Sequence, residues 1–139
     1  MTLTGIAAEQ LLIPIFDLLQ DKYVVRSNWP IPPRQGCHYS RLEWMLFPDF
    51  GGKIGIEVQT QNRQGSAERR VTDKMKMLSN IAKAFPKEFQ KFYIVLIGDG
   101  FRELDRYLDV EFKRSINVGD EVEVVTINTF FTRAAQLQL

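Results

Sequence analysis

Glu57 and Gln59 stand on one short stretch, KIGIEVQTQ, with Glu43 upstream in RLEWMLF. Ile54 to Thr60 alternates apolar and polar residues, the period of a strand. Ile54, Ile56 and Val58 therefore share one face, and Gly55, Glu57 and Gln59 share the other. Arg41 to Phe47 alternates in the same way, and the intervening PDFGG is turn chemistry. A hairpin centred near Phe50 sets Glu43 opposite Glu57. Directly paired residues point to the same sheet face, so Glu43, Glu57 and Gln59 converge. Two carboxylates held together on an otherwise apolar hairpin repel each other and lose hydration. A divalent cation removes that penalty, and hard oxygen donors of this kind suit magnesium, with manganese as a substitute. Such a site fits metal-assisted phosphodiester hydrolysis. The alternative is a solvated face on which the two acids pair with Arg41 or Lys53.

The remaining chain supplies elements to position this hairpin. Thr4 is placed to cap a first helix running to about Lys22, with Ile6, Leu11, Leu12, Ile15, Phe16 and Leu19 at helical spacing. Pro14 inside that pattern predicts a kink or a late start. Tyr23 to Trp29 reads as a strand, and Pro30, Pro32, Pro33 and Gly36 as a loop. After the hairpin, Ser66 is placed to cap a long helix to about Phe85, with Val71, Met75, Leu78, Ile81, Ala82 and Phe85 as its core stripe. Phe92 to Ile97 is an unbroken apolar run, as expected of a strand covered on both faces. Phe101 to Phe112 reads as amphipathic helix, Glu121 to Ile127 as strand, and the last ten residues as helix. The predicted order is αβββαβαβα, in one α/β domain spanning residues 1–139.

Composition bounds the function classes. A chain of 139 residues with 45% hydrophobic residues can build one core. No apolar run reaches the roughly 20 residues of a membrane span, and the N-terminus lacks a signal-peptide pattern. The single cysteine, Cys37, excludes an internal disulfide and the four-cysteine zinc patterns, which fits a reducing, cytoplasmic setting. Net charge is only +1, but it is unevenly distributed. Basic residues outnumber acidic ones from Arg26 to Lys91, while acids collect from Glu103 to Glu111 and Asp120 to Glu123.

The stretch RLEWMLFPDFGGKIGIEVQTQNRQGSAERRVTDK resembles the core of the PD-(D/E)XK, or restriction-endonuclease-like, nucleases. Their pattern sets an acid on one strand and (D/E)-x-K on the next within an αβββαβ core. The resemblance spans roughly residues 4–98, and the GIEVQTQ and QGSA segments are its most specific part. It implies a mixed central sheet flanked by helices, with a C-terminal α/β extension. It also implies metal binding by Glu43 and Glu57, with Glu9 as a further acid beside the metal. Gln59 stands where the family has lysine, and a glutamine can orient a water but cannot supply positive charge. Lys74 or Arg70 on the following helix could supply it, or both could be solvated helix residues. The literal pair Pro48-Asp49 also matches the family name, but Asp49 falls in the turn. At about 3.3 Å per residue it lies roughly 20 Å from Glu57, too far to share a metal, which favours Glu43 as the upstream acid unless a bulge or a longer turn brings Asp49 closer.

The expected function is magnesium-dependent cleavage of double-stranded DNA, of the restriction or homing type. The other reading is a catalytically silent DNA-binding or assembly module. Arg34, Arg63, Arg69 and Arg70 are the candidate DNA contacts, and the loop from Asn28 to Gln35 could enter a groove or be a packed connection. Cutting both strands requires paired active sites, hence a homodimer or homotetramer, with Phe130, Phe131, Leu137 and Leu139 either as contact residues or folded back onto the sheet. His38 reads as an ordinary loop residue, Cys37 lacks a catalytic partner, and Gly98-Asp99-Gly100 reads as a turn without a Walker lysine.

Overall fold

A computed structural model describes residues 5–34, 37–38, 40–60, 67–98, 106–107, 109–137 and 139, without the side chains of residues 5–9 and 67. Helix α1 (Gly5–Leu19) leads into β1 (Tyr23–Ile31), β2 (Ser40–Pro48) and β3 (Lys53–Thr60). Helix α2 (Ala67–Ala84) and β4 (Phe89–Ile97) follow, then α3 (Val110–Ser115), β5 (Val122–Thr126) and α4 (Ile127–Ala135). This is the predicted αβββαβ core with an α/β extension. Among the described residues, no helix is long and apolar enough to cross a membrane.

One sheet carries the strands in the order β1-β2-β3-β4-β5. The pairs β1–β2 and β2–β3 are antiparallel, while β3–β4 and β4–β5 are parallel. Two apolar layers result. On one face α2 sets Val71, Met75, Leu78, Ile81 and Phe85 against Leu42, Met45, Phe92, Ile94 and Leu96. On the other, α1 and α4 set Leu12, Ile15, Phe16, Leu19, Phe130 and Ala134 against Ile54, Ile56, Val58, Tyr93 and Val95. Every residue from Phe92 to Ile97 is buried, which explains its unbroken apolar run. Gly55 belongs to this packing, because a Cβ there would lie 2.6 Å from Phe92 Cδ1 and 3.1 Å from Leu42 Cδ1.

Several expectations are corrected. Helix α1 continues through Pro14 without a late start. Leu11 is 48% exposed, so α1 buries Leu12, Ile15, Phe16 and Leu19 but not Leu11. Strand β1 continues past Pro30 to Ile31, with Pro30 still opposite Arg41. Asp109 interrupts the helix expected over Phe101 to Phe112: its carboxylate accepts the Glu111 N–H at 2.9 Å and starts α3 at Val110. Ile127 opens α4 rather than closing β5, because Thr126 caps that helix by accepting from the Thr129 N–H. The caps expected at Thr4 and Ser66 lie outside the described residues.

Candidate functional site

Strands β2 and β3 pair as Trp44↔Ile56, Met45↔Gly55 and Leu46↔Ile54. That register places Glu43 opposite Glu57, as the turn centred near Phe50 predicts. The ladder itself stops at Trp44 and Ile56. Beyond it β3 continues on its other edge, pairing with β4 as far as Thr60↔Ile97. The two strands therefore part between the N-terminal half of β2 and the C-terminal half of β3, and this gap in the ladder is the β2–β3 cleft.

A local reversal in β1 and β2 helps to form this cleft. Tyr23 and Val25 belong to the α1 face, yet Trp29 and Ile31 belong to the α2 face, although all four are odd-numbered. In β2, Leu42 lies on the α2 face while Trp44 and Leu46 lie on the α1 face. Strict alternation forbids both patterns. The break falls where Asn28 and Glu43 would pair, the one pair missing from an otherwise regular β1–β2 register. Asn28 takes φ +53°, a left-handed conformation that asparagine tolerates better than most residues. Glu43 thus sits at the point where β2 turns over and leaves β3.

Side chains take over the polar groups that the interrupted ladder no longer pairs. The Glu43 N–H donates to Glu57 Oε2 at 2.9 Å, and the Val58 N–H donates to Glu43 Oε2 at 2.8 Å. Each carboxylate thus accepts from a main-chain N–H on the opposite strand. Glu57 is 5% exposed, so its charge lies in a poorly solvated setting that such hydrogen bonds offset. From α2, Lys74 Nζ donates to the Val58 carbonyl at 2.8 Å and stands 3.8 Å from Glu43 Oε1. Gln59 is buried, and its Nε2 donates to the Thr60 carbonyl at 3.2 Å.

The structure therefore brings together Glu43, Glu57 and Lys74, with Gln59 one residue beyond Val58. The Arg41 guanidinium donates to the Asn28 carbonyl at 3.4 Å, and Lys53 Nζ lies over the Phe47 ring at 5.6 Å. Asp49 is exposed in the turn after β2. Among the described residues, no group of three or more His, Cys, Asp or Glu side chains converges. The available donor set is instead two carboxylates, the Val58 carbonyl and the nearby Gln59 amide. These are hard oxygen donors and fit magnesium or manganese.

The other predicted site residues lie as follows. Glu9 is on α1, with its side chain outside the described set, and Arg63 lies outside the described residues. Arg69 and Arg70 are exposed in the first turns of α2, with Arg70 one helical turn before Lys74. Arg34 is engaged at the far end of α2. Its guanidinium lies 4.2 Å from the Phe85 ring centroid, donates to the Ala84 carbonyl at 3.4 Å and stands 3.9 Å from Glu88. Trp29 packs edge-on against Phe47 at 5.0 Å. The stretch expected as a loop from Asn28 is thus still strand as far as Ile31, and Trp29 and Arg34 on it are engaged in packing contacts. Cys37 is buried, which pushes its thiol pKa up, and its Sγ donates to the His38 carbonyl at 3.4 Å. An unactivated thiol of this kind is no nucleophile. Sequence patterns do not single out Asn28 or the main chain of Val58. The one available signal is an asparagine, a frequent left-handed residue, inside an extended run.

The fold class is thus a mixed α/β sheet flanked by helices on both faces. Among solved structures, the chain is similar to a protein of unknown function, AF1548, at 11% identity and a TM-score of 0.50 over 86% of this chain. It is also similar, at a TM-score of 0.40 and 8% identity over 98% of the chain, to the restriction endonuclease FokI bound to DNA. The chain spans 56% of the length of AF1548 and 26% of that of FokI. No family model matches the sequence, and no curated protein matches it.

Proposed function

We propose that this domain is a magnesium-dependent endonuclease of the PD-(D/E)XK type acting on double-stranded DNA. The observation that carries this reading is the cleft between β2 and β3, where Glu43, Glu57 and Lys74 meet around the main chain of Val58. Glu43 and Glu57 would hold the cation, with Gln59 beside them. When bound, the cation would polarise a water and offset the charge developing on phosphate. Lys74 carries the positive charge that Gln59 cannot, and so replaces the family's strand lysine from α2. Gln59 orients the attacking water through its amide. Arg69 and Arg70, exposed on α2 close to Lys74 in sequence, contact the DNA backbone, where guanidinium groups bind phosphate. Arg34, tied to Glu88, contributes less.

Plasmid DNA incubated with the protein and magnesium should be cut, and the Glu57→Gln protein should leave it intact. Sequencing the ends released from a genomic library identifies the target. The substitution of glutamine for the family lysine favours a second reading, a catalytically silent DNA-binding module. Retained duplex binding without cleavage in magnesium or manganese selects that reading.

A further inference from the structure

The oxygens of the β2–β3 cleft already hold a cation. Within a strand, the N–H and C=O of one residue point to the same side. The Val58 N–H points to Glu43 on β2, so the Val58 carbonyl opens into the same cleft. Lys74 Nζ meets that carbonyl at 2.8 Å and lies 3.8 Å from Glu43 Oε1. Both contacts use oxygens that a divalent cation between Glu43 and Glu57 would also seek. An ammonium and a divalent cation repel steeply at such separations, and neither can use lone pairs engaged by the other.

We propose that Lys74 is the resident counter-cation of the metal-free cleft, and that a divalent metal enters by displacing its ammonium from Val58 and Glu43. The inference rests on reading the cleft as a metal site. It gives Lys74 two positions. In the metal-free protein it offsets the Glu43 charge and ties α2 to β3 at the end of the ladder. Once displaced, its ammonium is free to meet a phosphate oxygen, so metal loading and substrate contact become coupled. The lysine stem reaches from a helix rather than from β3 itself, and its rotatable bonds permit this exchange where a strand residue would be more constrained. Metal affinity is lowered in consequence, because each binding event breaks the Lys74 contacts.

The test is direct manganese binding, measured by calorimetry and by electron paramagnetic resonance, on wild type, Lys74→Met, Lys74→Gln and Glu57→Gln. Removing the competing ammonium should tighten manganese binding about tenfold, the low end of what a charge-assisted hydrogen bond contributes. The two Lys74 variants guard each other: methionine keeps the stem and helix propensity, and glutamine keeps a polar end if methionine perturbs folding. Binding that both variants leave unchanged or weaken, while wild type binds saturably, overturns the displacement and leaves the metal site standing. Absence of binding in every form overturns both.

Amine acetylation followed by mass spectrometry provides a second readout on the unaltered protein. Manganese should raise Lys74 labelling at least about twofold relative to Lys87 on the surface, since the ammonium leaves a charge-assisted contact. Unchanged or reduced labelling at saturating manganese overturns the proposal.

Discussion

Substituting Glu57 by alanine removes a hydrogen-bond acceptor as well as a charge. Its Oε2 accepts the Glu43 N–H, and the side chain is 5% exposed. The sequence places Glu57 on the face away from Ile54, Ile56 and Val58, which implies that it can be deleted at little cost to folding. Its burial corrects that view. Glu57→Ala should lose about 1–3 kcal/mol of stability by leaving that N–H unpaired. Glu57→Gln keeps an acceptor and should stay within ~1 kcal/mol of wild type while losing cleavage. Chemical denaturation beside a plasmid assay checks both, and equal stability of the two variants would refute the acceptor role. Gln59 and Lys74 allow a sharper comparison, since the Lys74 ammonium sits on Val58, next to Gln59 in the chain. Lys74→Met should reduce cleavage about a hundredfold or more, the scale of a lost electrostatic stabiliser. Gln59→Lys alone adds a second ammonium near the first and should impair folding or cleavage. Combined with Lys74→Met it returns the charge to β3 and should recover part of the rate. A double variant no better than Lys74→Met rules out relocation of the charge.

At the scale of elements, the hairpin register is legible in the sequence because two alternating strands flank a turn of fixed length. The sum of constraints leaves one pairing that buries Ile54, Ile56 and Val58, and it carries Glu43 to Glu57. The face of α1 is less legible. Leu11, Leu12, Ile13, Ile15, Phe16 and Leu18 make the helix apolar nearly all round, so periodicity alone does not choose between Leu11 and Leu12. The reversal at Asn28 is hidden for another reason. Residues 23–31 form a single strand, and the break shows in the fold rather than in the run of residue types, as a change of face between Val25 and Trp29 and a missing Asn28–Glu43 pair. This makes Asn28 a test of how the cleft is built. Asn28→Val forces a β-branched residue to φ +53°, costing about 1–2 kcal/mol, whereas Asn28→Gly should be nearly neutral. If the reversal positions Glu43, the valine variant should also lose manganese affinity while still folded. Full affinity in a folded Asn28→Val protein would separate the reversal from the site. Gly55→Ala is the packing counterpart. Its Cβ would meet Phe92 and Leu42 at contact distances no core tolerates unchanged, so denaturation should show a loss of about 1–3 kcal/mol.

For the whole molecule, the two strands of a duplex run antiparallel, and on the proposed function one cleft would hydrolyse one phosphodiester at a time. A two-fold axis between copies presents equivalent clefts to the two strands. The structure narrows the surface available for such an axis. Phe130 is fully buried against Tyr93, with ring centroids 5.8 Å apart, so it is core rather than interface. Leu139 packs against the same core layer. Phe131 is 48% exposed and Leu137 37%, and on α1, which packs beside α4, Leu11 and Leu18 are 48% and 44% exposed. Exposed apolar side chains shared between two adjacent helices fit contact with a second copy better than isolated surface leucines do. Sedimentation near micromolar concentration should therefore show a dimer or tetramer. Leu18→Glu together with Phe131→Glu adds two charges where each copy would meet its mate, and should shift the protein toward monomer. Neither residue lines the β2–β3 cleft, so the altered protein should still hydrolyse single phosphodiesters. Supercoiled plasmid should then accumulate as nicked circles instead of linear molecules. A wild-type protein that sediments as a 16.1 kDa monomer with and without DNA would exclude paired clefts and leave a nicking or purely binding role.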